Sequence, residues 1–128
     1  MTAPLLLVVE DDADVRDALL GVLGDAGYAI CWAADGFEAM HVLRAGARPA
    51  AILLDLMMPG MNGFDFRAAQ RADPSIADIP VILVTAMRGA ERAATSLQAA
   101  AYVPKPARVD ELLAAVSRVA GPVGPSVS

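Results

Sequence analysis

Short apolar runs recur along the chain and alternate with segments that have helical periodicity. Three of these runs are unbroken and end at a polar residue, and they cover Leu5–Val9, Ala51–Leu54 and residues 81–84. Two weaker runs cover residues 28–33 and 100–103. Short continuous apolar runs are typical of strands that are buried on both faces of a parallel sheet. The pattern therefore predicts five parallel strands.

The segments between the runs carry apolar residues at the spacing of amphipathic helices. In the first segment, Val15, Leu19 and Val22 share one helical face, and Gly27 follows as a stop signal. In the second segment, Phe37 and Met40 are expected to face inward. Helices are predicted over residues 15–26, 34–45, 63–72, 88–99 and 109–120.

The strict alternation of strand and helix constrains the architecture. It implies right-handed crossover connections and one open parallel sheet with helices on both faces. We therefore expect a single α/β domain over residues 1–120. Residues 121–128 are rich in Gly, Pro and Ser, and we expect a disordered tail or the start of a linker there.

The composition argues against several classes of protein. Although 56% of the residues are apolar, no run approaches the roughly 18 residues that a membrane-spanning helix needs. The first residues lack the basic and apolar stretches of a secretory leader. A net charge of −5 argues against direct nucleic-acid binding, and the single cysteine, Cys31, rules out an internal disulfide framework. These features predict a cytoplasmic protein without a membrane segment.

Polar side chains follow four of the predicted strands, at the point where each strand ends. Three acids at residues 10–12 follow the first strand, Asp55 follows the third, Thr85 the fourth and Lys105 the fifth. The carboxyl ends of parallel strands lie at one edge of an open sheet, where ligands of such folds bind. We therefore expect acids, a hydroxyl and an ammonium to converge at this edge.

These groups have the chemistry of a metal site that takes a phosphoryl group. Carboxylates that are held close together repel, and a hard divalent cation such as Mg²⁺ relieves the repulsion through oxygen ligands. A carboxylate is then the candidate nucleophile. Lys105 is the only lysine among ten cationic residues, and its compact charge suits a phosphate. A simpler interpretation stays open for the acids, because Asp11 or Asp12 could cap the first helix.

The segment from Asp55 to Gly63 directly follows a buried run and contains Pro59 and Gly60. Proline and glycine beside the end of a strand indicate an exposed loop with a specified turn. Such a loop presents backbone carbonyls, and the carbonyl of Met57 is a candidate metal ligand.

Four motifs, taken together, resemble those of the receiver domains of bacterial two-component systems. They are Val8-Val9-Glu10-Asp11-Asp12, the loop at residues 55–63, Val84-Thr85-Ala86 and Lys105-Pro106. The resemblance covers about residues 5–120. It implies a flavodoxin-like (βα)5 fold with an open parallel sheet of strand order 2-1-3-4-5.

The resemblance also implies a role for each acid at the edge. Asp55 is the phosphoacceptor. Glu10 and Asp11 are the pair that holds Mg²⁺, with Asp11 as the direct ligand. The carbonyl of Met57 completes the protein ligands, whereas Asp12 is given no metal role.

A switch follows from the same resemblance. Thr85 and Lys105 bind the phosphoryl oxygens, and the amide of Ala86 assists them. The Thr85 hydroxyl then moves toward the phosphate, and Tyr102 turns inward into the space that it leaves. A partly buried tyrosine on an edge strand is the simpler interpretation of Tyr102.

Several positions bear on the lifetime of the phosphoryl group and on partners. Met57 and Met87 each lie two positions after a site residue, where the side chains of the family influence the hydrolytic water. Because a thioether is a weak acceptor, we expect slow self-dephosphorylation. The glycine that often precedes the fifth strand is replaced within residues 99–101, and Ala107 replaces a bulky residue. These departures leave the identity of the partner open.

The expected phosphodonor is a phosphohistidine on a sensor histidine kinase or a phosphotransfer domain. The expected readout is a downstream output protein or domain, or a homodimer formed through the fourth helix, the fifth strand and the fifth helix. Such a protein catalyses its own phosphorylation but is not a conventional turnover enzyme.

Two alternative functions remain to be weighed. An aspartate-nucleophile phosphatase of the haloacid dehalogenase type needs a second aspartate two residues after the nucleophile, where this chain has Met57. A pseudo-receiver that acts only as an interaction module predicts loss of the acceptor, the acid pair or the lysine, and all of these residues are retained.

Overall fold

The fold is an alternating series of five strands and five helices. It is seen in a computed structural model that describes residues 3–123. The elements in chain order are β1 (Leu5–Val9), α1 (Ala13–Asp25), β2 (Ala29–Ala33), α2 (Gly36–Arg44), β3 (Ala51–Leu54), α3 (Gly63–Ala72), β4 (Val81–Thr85), α4 (Ala90–Ser96), β5 (Ala101–Pro104) and α5 (Val109–Ala120).

The strands form one parallel sheet in the order β2-β1-β3-β4-β5. This confirms the predicted flavodoxin-like α/β fold. Every residue of β3 and β4 is buried, because helices cover both faces of the sheet. The continuous apolar runs in the sequence reflect this burial.

Alternate residues along each strand supply two separate cores. Leu7, Ile52 and Leu83 point to the face that packs against α2, α3 and α4. Leu6 and Ile82 point to the opposite face, which packs against α1 and α5. Side chains alternate between the faces of a strand, so two continuous hydrophobic layers hold the strand ends in fixed positions.

The N-termini of three helices are fixed by side-chain caps. Asp12 accepts hydrogen bonds from backbone amides of α1, Asp35 from an amide of α2, and Asn62 from an amide of α3. Each cap satisfies backbone N–H groups that have no partner within the helix. The caps therefore fix the residue at which each of these helices begins, close to the carboxyl ends of the strands.

Phe37 was expected to face inward, and this expectation is wrong because 60% of the residue is exposed. The buried positions of α2 are Gly36, Ala39, Met40 and Leu43. These positions follow the spacing of one helical stripe, and Phe37 lies one residue off that stripe. The inward position predicted for Met40 is confirmed.

Helix α4 is shorter than the helix predicted over residues 88–99. It begins after Gly89, which has a φ of 75°, and it ends before Gln98, which has a φ of 53°. Both values lie in the left-handed region, which does not continue a right-handed helix. The helix is therefore confined to Ala90–Ser96.

The first residues of the predicted tail contact the domain. The Tyr28 hydroxyl donates a hydrogen bond of 3.0 Å to the carbonyl of Gly121, and Val123 packs against the core on the α1 and α5 side. The remainder of that predicted tail, residues 124–128, lies outside the described residues. Within residues 3–123, no helix combines the length and the apolar character needed to cross a membrane.

Candidate functional site

Carboxylates gather at the carboxyl edge of the central strands. Glu10 follows β1 and is 2% exposed, and Asp55 follows β3 and is 7% exposed. The backbone amide of Asp55 donates to the carbonyl of Val9 over 3.1 Å, which extends the pairing of β1 with β3 into the site. Ligand oxygens of Glu10, Asp11 and Asp55 all lie within 4.8 Å of one another.

Lys105 brings a positive charge into this cluster. Its Nζ donates a hydrogen bond of 3.1 Å to Asp55 Oδ2 and also forms an ion pair with Glu10 Oε1. The residue lies directly after β5, and its peptide bond to Pro106 is cis. Four of the residues predicted for the site, Glu10, Asp11, Asp55 and Lys105, are therefore brought together.

Burial and charge pairing act together on these groups. Burial raises the pKa of Glu10 above its usual range, although the hydrogen bond from Lys105 opposes this shift. Burial alone would lower the pKa of Lys105, but the hydrogen bond to Glu10 and the charge of Asp55 outweigh it and raise that pKa. Lys105 is therefore held in its charged form beside the acids.

The adjacent acids 11 and 12 have different roles. The Asp12 Oδ1 atom accepts hydrogen bonds from the amides of Asp14 and Val15, over 2.9 and 3.1 Å. This is the capping arrangement of a helix N-terminus. Asp11 is exposed and belongs to the carboxylate cluster. The cap is thus supplied by Asp12, and the Asp11 carboxylate remains part of the site.

The loop after β3 is fixed tightly against Asp55. The amide of Met57 donates to Asp55 Oδ1 over 3.2 Å, whereas 63% of Met57 is exposed. The loop returns at Gly63, where an added Cβ would lie 2.5 Å from the Asp55 carbonyl oxygen and 2.7 Å from the Cα of Leu56. Position 63 therefore requires glycine for the loop to close beside Asp55.

The two residues predicted for the switch lie on neighbouring strands. Thr85 is fully buried at the end of β4, and its Oγ1 accepts a hydrogen bond of 3.2 Å from the amide of Met87. Tyr102 lies on β5 opposite Leu83 and is partly buried against the core on the α4 side. In this structure the described hydrogen bonds of Thr85 do not include one to Asp55.

Arg16 on α1 supports the site and was not anticipated from the sequence. Its Nη1 donates to the backbone carbonyl of Glu10 over 3.1 Å, and its guanidinium lies 3.9 Å from the ring centroid of Trp32. This stacked arginine connects Glu10 to α1 and β2. An isolated arginine on an amphipathic helix gives no sequence signal for such a contact.

A largely apolar groove of about 490 Å³ lies between α1 and α5, beside the site. Lys105 and Ala86 contribute to its wall at the end nearest the carboxylates. Ala107, which stands where the family often has a bulky residue, also lines it. The groove itself offers no carboxylate, so the acid cluster and the groove are chemically distinct.

The donor set at the edge is suited to a hard divalent cation. Three carboxylates within 4.8 Å repel one another, and one ammonium group offsets only part of that charge. Mg²⁺ favours oxygen ligands and needs only one or two carboxylates, with the remaining positions filled by water or phosphate. Glu10, Asp11 and Asp55 have the ligand chemistry for this ion.

The sequence matches the family model of the response regulator receiver domain over residues 6–117. The response regulator MprA of Mycobacterium sp. (strain KMS) is 38% identical over 111 residues, which are 85% of this chain and 47% of that protein. MprA of Mycobacterium avium (strain 104) shows the same identity and coverage. The chain thus spans about half the length of the curated relatives it matches.

Solved structures share both the fold and part of the sequence. A response regulator receiver protein from Pseudomonas putida has a TM-score of 0.84 and 29% identity, covering 92% of this chain and 98% of that one. The receiver domain of a sensor histidine kinase from Pseudomonas aeruginosa has a TM-score of 0.84 and 26% identity, covering 94% and 99%. In that second structure a magnesium ion is coordinated in the active-site cleft.

Proposed function

This chain belongs to the response regulator receiver domain family, and from that premise we propose that Asp55 accepts a phosphoryl group from a phosphohistidine in a Mg²⁺-dependent reaction. The observation that carries the proposal is a cluster of three carboxylates, with oxygens within 4.8 Å of one another, two of which contact the ammonium group of Lys105. This combination supplies a nucleophile, cation ligands and a positive charge at one point.

Asp55 is the nucleophile in this proposal. A carboxylate oxygen of Asp55 forms the bond to phosphorus while the bond from phosphorus to the donor imidazole nitrogen breaks. Two contacts orient the carboxylate, the Met57 amide at Oδ1 and Lys105 at Oδ2. A bound Mg²⁺, held by Glu10, Asp11, Asp55 and the Met57 carbonyl, would offset negative charge on the phosphoryl oxygens.

Lys105 and Thr85 stabilise the transferred group. Lys105 carries a fixed positive charge beside Asp55, where it counters charge on the phosphoryl oxygens. The Thr85 hydroxyl accepts a bond from Met87 and retains its own hydrogen to donate. The Ala86 amide assists in binding the phosphoryl oxygens. Movement of the Thr85 hydroxyl toward the phosphoryl group would open the space into which Tyr102 turns.

The partners follow from the same proposal. The donor is a sensor histidine kinase or a phosphotransfer domain, and the readout is an output protein, an output domain or a homodimer through α4, β5 and α5. The setting is the cytoplasm. The chain catalyses its own phosphorylation and slow dephosphorylation, and it is not a conventional turnover enzyme.

A small phosphodonor tests the proposal without knowledge of the kinase. Incubation with acetyl phosphate and Mg²⁺ should add one phosphoryl group to the intact protein, detected by mass spectrometry. Asp55→Asn should take no label, whereas Asp65→Asn, a change to an exposed acid of α3, should be labelled like the parent. Absence of label on the parent would favour the pseudo-receiver, and label on Asp55→Asn would place the acceptor elsewhere.

A further inference from the structure

Arg67 of α3 is a buried cation whose described hydrogen-bond partners are all neutral. It is 6% exposed. Its Nε donates to the carbonyl of Leu97 over 3.0 Å, and its Nη2 donates to the carbonyl of Gln98 over 3.2 Å. Its Nη1 donates to Gln70 Oε1 over 2.8 Å. The planar guanidinium therefore ties α3 to the segment that follows α4.

Gln70 extends this network to a second loop. The side chain is fully buried, and its Nε2 donates to the carbonyls of Ile76 and Ile79 over 3.0 and 2.9 Å. Arg71 adds an exposed bond of 2.7 Å from its Nη2 to Gln98 Oε1. One connected set of polar side chains thus joins the loop before β4 to the loop before β5.

The network contacts the C-terminal end of α4 where the backbone turns out of the helix. Gln98, with a φ of 53°, is the one non-glycine residue with positive φ in the described chain. Such a conformation costs free energy for a residue with a Cβ and persists only where surrounding contacts enforce it. Two backbone hydrogen bonds close the helix end around Gln98, from its amide to the Thr95 carbonyl over 3.1 Å and from the Ala99 amide to the Ala94 carbonyl over 2.9 Å. Arg67 on the Gln98 carbonyl and Arg71 on its side chain add side-chain contacts to this turn.

The opposite end of α4 has no comparable anchor. Its N-cap is Gly89, with a φ of 75° and no side-chain cap. The loop between Thr85 and Gly89 connects this end directly to the candidate switch residue. The helix has only 7 residues. Side-chain hydrogen bonds from α3 hold its C-terminal end, whereas the N-terminal end is held by the packing of the buried Ala90 without a side-chain cap.

We propose that Arg67 and Gln70 form a clamp that fixes the C-terminal end of α4, so that a change at Thr85 displaces the N-terminal end and turns the helix about Gln98. This inference rests on the proposed phosphorylation of Asp55, which would cause the change at Thr85. The cation sits at the negative end of the α4 dipole, which favours a positive charge. Burial and then the charge of Arg71 lower the pKa of Arg67, yet a guanidinium stays charged in proteins.

Hydrogen exchange tests the clamp. In the parent protein, acetyl phosphate with Mg²⁺ should change exchange at residues 86–91 and leave residues 96–99 slow and unchanged. In Arg67→Met, exchange at residues 96–99 should rise about tenfold or more and should become sensitive to acetyl phosphate. Arg92→Met, which removes an exposed arginine from α4 itself, is the matched control and should behave like the parent.

A second, more conservative variant keeps the test valid if Arg67→Met does not fold. Arg67→Lys keeps the charge but lacks the fork that reaches three acceptors, so its exchange at residues 96–99 should lie between the parent and Arg67→Met. Two outcomes would contradict the clamp. In the first, phosphorylated Arg67→Met and Arg67→Lys both keep the slow exchange of the parent at residues 96–99. In the second, residues 86–91 and 96–99 of the phosphorylated parent change their exchange equally. If the parent takes no label, the proposed function fails instead, while fast exchange in unlabelled Arg67→Met would still establish the anchor.

Discussion

At the scale of single residues, we expect two methionines to influence how a water molecule approaches the proposed phosphoryl group. Met57 lies two positions after Asp55 and is 63% exposed, and Met87 lies two positions after Thr85 and is partly buried. Neither thioether orients water strongly. These two side chains therefore do not direct a water molecule toward phosphorus, and we expect the phosphoryl group to be long-lived.

Polar side chains at these two positions should shorten that lifetime. We expect the double variant Met57→Asn, Met87→Asn to lose label about tenfold faster, which corresponds to roughly 1.4 kcal/mol of activation free energy. The measurement is the decay of phosphorylated protein after removal of acetyl phosphate. Met57→Leu, which keeps an apolar side chain, should decay at the parent rate, and an unchanged rate in the double variant would refute the role of the methionines.

Cys31 should be a poorly reactive thiol in the folded protein. Burial raises the pKa of its thiol, so less thiolate is present at any given pH, and the thiolate is the nucleophile. Iodoacetamide should therefore alkylate the native chain slowly near pH 8 and the urea-unfolded chain rapidly, with the native rate rising only at higher pH. Equal rates for the two states would contradict this effect of burial.

The residues of the site and those of the clamp differ in how far the sequence could predict them. Asp55 and Lys105 follow apolar runs, and the ends of parallel strands meet at one edge, so their proximity could be predicted. Arg67 and Gln70 lie in a helical segment where a polar residue is normally exposed. Arg67 can be buried because it donates to backbone carbonyls that lie 30 and 31 residues further along the chain. A local sequence pattern does not show which distant carbonyls a side chain will meet.

At the scale of elements, the predicted segments match the observed ones to within about two residues at most ends, and α4 departs most. The bounds of β1, β3, α3 and α5 equal the predicted ones, because burial on both faces or a full amphipathic stripe dictates them. Helix α4 is shorter than predicted because Gly89 and Gln98 adopt left-handed conformations. The sequence pattern there is rich in alanine, which favours helix without showing where the helix begins or ends.

Gly63, beside the loop after β3, and Gly21, within α1, should respond in opposite ways to replacement by alanine. Gly63→Ala should destabilise the protein by about 1–3 kcal/mol, because the new Cβ would meet backbone atoms of Asp55 and Leu56. Gly21→Ala should stabilise it by about 0.5–1 kcal/mol, because Gly21 lies within α1 with no atom within 4 Å of an added Cβ. Urea unfolding measures both changes. A stable Gly63→Ala that takes label normally would show that the loop beside Asp55 can relax.

At the scale of the whole molecule, the fold places two acidic side chains of an acidic protein in buried positions. The net charge is −5, and Glu10 and Asp55 are among the few buried polar residues of the described chain. One lysine offsets part of this charge. The folded state therefore holds the three carboxylates of the site together at a cost in free energy that the unfolded chain does not bear.

A cation that binds only the folded state should relieve this cost. The free energy of unfolding should rise with Mg²⁺ concentration, by about 1.4 kcal/mol for each tenfold increase above the dissociation constant. Chelation of Mg²⁺ with EDTA should reverse this stabilisation.

Asp11→Asn should reduce the dependence of stability on Mg²⁺, because Asp11 is an exposed member of the carboxylate cluster and the neutral amide of asparagine cannot replace its charge. Asp25→Asn, at the far end of α1, should retain the full dependence. Equal dependence in the two variants would place the cation elsewhere on the acidic surface, since a general screening effect does not distinguish one exposed aspartate from another.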